Sequence, residues 1–206
     1  MGGPGPFQDK PSLRVEGLSL SRGGRVLFEG LSFSASTGAY IEVRGPNGAG
    51  KTSLLRALAG FLKPRAGKIV YDNVAEPPLA IHFIGHANAL KREASVRTHL
   101  RYWSGLFGVT GSADSIDDVG FGLIERADLP VRALSQGQAR RLALMRLRIA
   151  PRPIWLLDEP AAALDADGKE MLGDLIESHR LHGGIVIAAV HEPLGPTPAQ
   201  TITVGA

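Results

Sequence analysis

Residues Gly45 to Thr52 read GPNGAGKT, a G-x-x-x-x-G-K-[ST] spacing set between an apolar run and a segment of helical period. A loop of this kind binds phosphate with its backbone: the glycines let N–H groups turn inward, and the following helix offers its positive end. Gly45, Pro46, Asn47, Gly48, Ala49, Gly50, Lys51, Thr52 and Ser53 are therefore the candidate nucleotide contacts. Lys51 is placed to reach the β- and γ-phosphates, which makes it a candidate catalytic residue, and Thr52 to ligate Mg²⁺. The plain alternative is a glycine-rich turn before a surface lysine, and the flanking strand and helix argue against it. A second chemical group closes the run IWLLDEP, where Asp158 is the expected further Mg²⁺ ligand and Glu159 is aimed at the water that attacks the γ-phosphate. Alone, such a run is often a strand end with a solvated acidic pair; beside GPNGAGKT it reads as chemistry.

These groups must be held by an alternation of strands and helices. Leu13 to Leu20, Val26 to Phe28, Leu31 to Phe33 and Tyr40 to Val43 read as short strands, and Lys51 to Ala59 as a helix stopped by Gly60. Strands follow at Lys68 to Tyr71 and Ala80 to Ile84. A helical stretch comes next, with Val96 to Phe107 helical, an acidic loop at Asp114 to Asp118 and a further helix at Val119 to Ala127. The helical period resumes from Gly137 to Ile149, Ile154 to Leu157 suits a strand buried on both faces, and a helix spans Ala166 to His182. Strands at Ile185 to Val190 and Thr201 to Val204 complete an α/β pattern with a mainly parallel, doubly wound sheet.

Composition narrows the class further. With 206 residues and 44% hydrophobic content the chain fits one domain. It has no cysteine, which excludes disulfides, thiolate metal sites and cysteine nucleophiles. No stretch approaches the roughly 20 apolar residues of a membrane-spanning helix. The opening MGGPGPFQDK is glycine- and proline-rich and reads as a loose tail over 1–10. A net charge of +3 is too close to balance to argue for nucleic acid, and Arg140, Arg141, Arg146, Arg148 and Arg152 read as a solvated helix face.

LSQGQ at Leu134 to Gln138, shortly before IWLLDEP, is either a plain N-cap by Ser135 or an anion site built on that cap. AALD at Ala162 to Asp165 follows, and VIAAVHEP brings His191 to a strand end. Five motifs in this order resemble the ATP-binding cassette (ABC) ATPases over almost the whole chain. The resemblance implies a P-loop NTPase of ABC type over 11–206, with an antiparallel N-terminal β subdomain and a small helical insertion at about 85–134. It implies ATP hydrolysis with Mg²⁺ in a homodimer, where Ser135, Gly137 and Gln138 meet the nucleotide on the partner's P-loop. It makes His191 the switch histidine beside Glu159, and Asp165 either a cross-dimer contact or a helix N-cap.

Two positions depart from that family. Where most members stack an aromatic ring on adenine, this chain has Arg22, whose guanidinium plane can stack on a base or simply be a solvated turn residue. Where most have a glutamine that touches Mg²⁺ and the attacking water, FIGHANAL supplies His86. A histidine beside an apolar run is otherwise a buried, satisfied imidazole. With a single short cassette and the run LSQGQARRLALMRL, these departures resemble the haem-exporter ATPases of bacterial cytochrome c maturation. That likeness implies a peripheral subunit on the cytoplasmic face of the inner membrane, bound to integral membrane subunits and acting indirectly on a periplasmic haem chaperone. Haem ligands are not expected in this chain, because His82 and His86 are not spaced for them. Another small ABC exporter, or a scaffold ATPase without membrane partners, is the alternative.

Overall fold

The computed structural model describes residues 7, 9–107 and 121–205. The expected acidic loop at Asp114 to Asp118, and residues 1–6 of the expected tail, lie outside them. Strand β1 (Ser12–Arg22) turns through Gly23 and Gly24, both at positive φ, into antiparallel β2 (Arg25–Ala35), and β4 (Ala66–Asp72) pairs on the other side of β1. Two consecutive positive-φ residues give the tight hairpin turn that matches strand twist. The buried face of β1 changes phase, from Leu13 and Val15 to Leu18 and Leu20, across a register shift at Gly17. Gly67 of β4 comes so near that a Cβ there would lie 2.4 Å from the Gly17 carbonyl oxygen. A second irregularity at Gly30 (φ 69°) corrects the expectation of two strands at Val26 to Phe28 and Leu31 to Phe33: they are one strand with a bulge.

The second sheet is wholly parallel. Its order is β5 (Ile81–Ile84), β6 (Ile154–Asp158), β7 (Ile185–Ala189), β3 (Tyr40–Arg44), β8 (Gln200–Thr203). Every residue of β6 and β7 is buried, and alternate side chains enter two cores. Ile154, Leu156, Ile185 and Ile187 pack with helix α1 (Lys51–Leu58) and the antiparallel sheet. Trp155, Leu157, Val186 and Ala188 pack instead with α3 (Val96–Leu106), α4 (Gln136–Ile149) and α5 (Ala166–Leu181). A one-turn helix α2 (Pro77–Ala80) leads into β5.

Between α3 and α4 the described residues hold only single 3₁₀ turns at Ile124–Arg126 and Val131–Ala133. The expected helix over Val119 to Ala127 is not formed in its described part, because Phe121 and Gly122 both take positive φ and break the period. Phe7 lies edge-on to His179, whose ring stacks on Trp155 at 3.6 Å between centroids. Among the described residues no helix is long and apolar enough to cross a membrane.

His82 is buried, and its Nε2–H donates to the Ala150 carbonyl at 2.6 Å. Burial lowers its pKa to about 4, against the opposing pull of that hydrogen bond. The ring is neutral in the fold but protonated in the unfolded chain below about pH 6.5. Its contribution is therefore present above that pH and lost as pH falls from about 6.5 to 4, about 3 kcal/mol in all. His82→Gln keeps a donor without the titration, so its unfolding free energy, followed by urea melts at pH 7 and pH 4, is expected to fall less by about that amount. An unchanged acid sensitivity would show that His82 is not held neutral.

Candidate nucleotide site

The loop between β3 and α1 carries the candidate phosphate contacts Gly45 to Ser53. Gly45 has φ 146°, and a Cβ there would stand 2.3 Å from the Val204 carbonyl oxygen, so the backbone after β8 admits only glycine. Gly50 caps α1 in a left-handed conformation, and its carbonyl accepts from Leu54 N–H at 2.8 Å. Lys51 is buried, with Nζ donating to the carbonyls of Gly45 (2.8 Å) and Pro46 (3.2 Å). These are neutral acceptors, weaker for an ammonium than phosphate oxygens. Asn47, Gly48, Gly50, Lys51, Thr52 and Ser53 line a pocket of about 330 Å³ together with Arg22, Leu27 and Glu159. Arg22 is exposed at the hairpin turn and therefore reaches the same pocket as the loop.

Thr52 Oγ1 lies 3.1 and 3.0 Å from the two carboxylate oxygens of Asp158, at the end of β6. Burial pushes the Asp158 carboxyl up, opposed first by the Thr52 hydroxyl; Glu159 adds to the rise, and the charges of His86 and Arg140 oppose it. A hydroxyl and a carboxylate meeting at the mouth of a phosphate loop suit a hard divalent cation completed by phosphate oxygens and water. No group of three or more histidine or acidic side chains forms a protein-only metal cage among the described residues.

Glu159 leaves the strand in the left-handed region, φ 47°, while its N–H still donates to Ala189 O at 2.9 Å. Its Oε1 lies 2.9 Å from Nε2 of His191, which follows β7, and both side chains remain partly open to solvent. Val190 N–H donates to Val43 O, so His191 starts beside the end of β3.

His86 is exposed, not a buried imidazole, because the chain leaves the sheet at Gly85. It borders a second pocket, about 620 Å³, with Asn88, Ser135, Arg140 and Ala163. That pocket shares no lining residue with the P-loop pocket, so Ser135 is not brought to the P-loop of its own chain. Ser135 caps α4 in a reciprocal box: its Oγ accepts from Gln138 N–H at 3.1 Å, and Gln138 Oε1 accepts from Ser135 N–H at 3.0 Å. A Cβ on Gly137 would meet the Ala163 carbonyl oxygen at 2.7 Å, so this helix start packs tightly on the segment after β6. Asp165 caps α5 through Gly168 N–H (3.0 Å) and pairs with Arg141, whose guanidinium holds the carboxyl low.

The expectation of a solvated arginine face fails at Arg140, which is buried beneath Asp158 and Glu159. Burial lowers its pKa to about 10, which leaves it charged at neutral pH. The signal was present in the spacing: Arg140, Ala143, Leu144 and Leu147 lie on one buried helical face. Arg146 packs over Trp103 and Arg152 over Phe107, so two more of the five are tied to aromatic rings.

Gly45→Ala is expected to force the loop away from Val204, lowering ATP affinity at least about tenfold in equilibrium binding. Unchanged affinity would mean that the loop need not keep this shape.

A family model described as ABC transporter matches residues 28–162. The cytochrome c biogenesis ATP-binding export protein CcmA of Rhodopseudomonas palustris (strain BisB5) is 46% identical over 200 residues, covering 94% of this chain and 98% of that protein. Its namesake in Hyphomonas neptunium is 46% identical over 192 residues, covering 92% and 95%. Among solved structures, a putative ABC transporter ATP-binding protein from Pyrococcus furiosus superposes with a TM-score of 0.80 at 26% identity, covering 94% of this chain and 97% of that one. A bacterial Atm1-family ABC exporter with ATP bound, at 20% identity and a TM-score of 0.74 over 95% of this chain and 37% of that one, shares the fold. The chain belongs to the ABC transporter ATP-binding family, in the group of the cytochrome c biogenesis ATP-binding export proteins.

Proposed function

We propose that this chain is the ATP-hydrolysing subunit of a membrane ABC complex for haem export or handling in cytochrome c biogenesis, driving loading or release of a periplasmic haem chaperone. The observation that carries the hydrolytic part is the Glu159–His191 pair beside the Thr52–Asp158 pair, at the mouth of the phosphate loop. The cytochrome c part is supported by likeness to relatives of that name along more than nine-tenths of the chain.

In this reading the backbone N–H groups of Asn47 to Ser53 cradle the phosphates of ATP. Lys51 exchanges the carbonyls of Gly45 and Pro46 for charged phosphate oxygens. Thr52 and Asp158 hold Mg²⁺, which when bound neutralises charge on the phosphates. Glu159 orients the attacking water and accepts its proton as the water oxygen bonds to the γ-phosphorus and the bond to the ADP oxygen breaks. His191 holds the Glu159 carboxylate in place and faces the γ-phosphate. Arg22 stacks on the base, and His86 stands in the loop that reports nucleotide state to the membrane subunits.

Two copies work together, because Ser135, Gly137 and Gln138 stand at a helix start away from their own P-loop pocket and are suited to complete a partner's site. The complex sits on the cytoplasmic face of the inner membrane through integral partners, and nucleic acid is not a ligand. Glu159→Gln should bind ATP with near-normal affinity and hydrolyse it at least about a hundredfold more slowly; near-normal turnover would remove Glu159 from the chemistry. Deletion of the gene should abolish haem attachment to c-type cytochromes, read by haem staining of membranes. Normal attachment would reject the haem role and leave the ATPase intact.

A further inference from the structure

Arg140 stands on the inward face of α4 and is 2% exposed. A guanidinium has five N–H donors, and here all five meet carbonyl oxygens. Nε donates to Pro160 O (3.0 Å) and Nη2 to Asp158 O (3.0 Å) and Glu159 O (2.9 Å). Nη1 donates to Gly85 O (2.9 Å) and to Asn88 Oδ1 (3.0 Å). One guanidinium thus gathers two segments far apart in sequence, the turn after β6 and the loop that carries His86.

A buried ion pair would need only one carboxylate; this cation instead fixes the shape of the backbone around it. Three consecutive carbonyls curl toward it where Glu159 takes φ 47°, a conformation costly for a residue with a Cβ. Such a turn persists only where its surroundings over-determine it. We propose that Arg140 is a positioning residue, which holds the Asp158–Pro160 turn so that Glu159 faces its water and ties that turn to the His86 loop. The inference rests on Glu159 being the residue that engages the water. A displacement of the His86 loop acts on Gly85 and Asn88, passes through the planar guanidinium, and reorients Glu159. Ser135 lies five residues earlier, at the start of the same helix, so movement of α4 carries Arg140 with it.

Lysine has three donors and cannot hold both segments. In the full chain, Arg140→Lys is expected to keep its ATP affinity and KM within about threefold while kcat falls at least about thirtyfold. In a Glu159→Gln background the same substitution should cause no further loss of the residual turnover, because it acts through Glu159. Normal kcat in the folded Arg140→Lys protein would overturn the proposal, as would a full additional loss on top of Glu159→Gln. If Arg140→Lys does not fold, Asn88→Ala decides: loss of one acceptor at the rim should lower kcat about threefold with an unchanged melting temperature. Wild-type kcat in Asn88→Ala would overturn the tie to the loop. Full turnover in Glu159→Gln alone would overturn the reading of Glu159, and this inference with it.

Discussion

The parallel pairing of β6, β7 and β3 is the constraint on which the rest depends. Both faces of β6 and β7 are buried, so a charged side chain can emerge only at the strand ends. The register sets Asp158 opposite Ala189 and Val43 opposite the same residue from the other side. Hydrogen bonds from Glu159 N–H and Val190 N–H extend this pairing one step beyond the strands. The phosphate loop, the acidic pair and His191 therefore open together at the carboxyl end of the sheet. A slip of one residue in β6 would turn Trp155 and Leu157 to the opposite core and move Asp158 out of reach of Thr52.

Cationic charge near that end of the sheet is balanced mainly by oriented dipoles. Lys51 is held by two backbone carbonyls, and Arg140 by four backbone carbonyls and an amide. Burying such cations without partners would cost several kcal/mol each. The difference between them lies in where those partners stand. Lys51 lines the pocket of the phosphate loop with two bonds to that loop alone, whereas Arg140 borders the other pocket and uses all five of its donors on two segments of the fold.

Much of this was legible because it is local in sequence. GPNGAGKT specifies a turn and a helix start, IWLLDEP a doubly buried strand with acids at its end, and Ser135 a helix N-cap. Features built from distant segments were not. Val26 to Phe33 looked like two strands because a bulge at Gly30 and a turn use the same residue type. Arg140 looked solvated because its acceptors are carbonyls, which every residue has and no side-chain pattern announces. The exposure of His86 was not legible in FIGHANAL, since it depends on where Gly85 turns the chain out of the sheet. Arg22 reaches the nucleotide pocket, but a stacking role depends on the base it would cover.

In the proposed function the Thr52 hydroxyl and the Asp158 carboxylate, joined at the carboxyl end of the parallel sheet, form one Mg²⁺-dependent site for ATP. The most direct measurement is a double-mutant cycle of Thr52→Val and Asp158→Asn, reading the gain in ATP affinity produced by Mg²⁺. Each single substitution should remove most of that gain, and the double should remove no more than the worse single. Losses that simply add would contradict the account, because the two residues would then act at separate places.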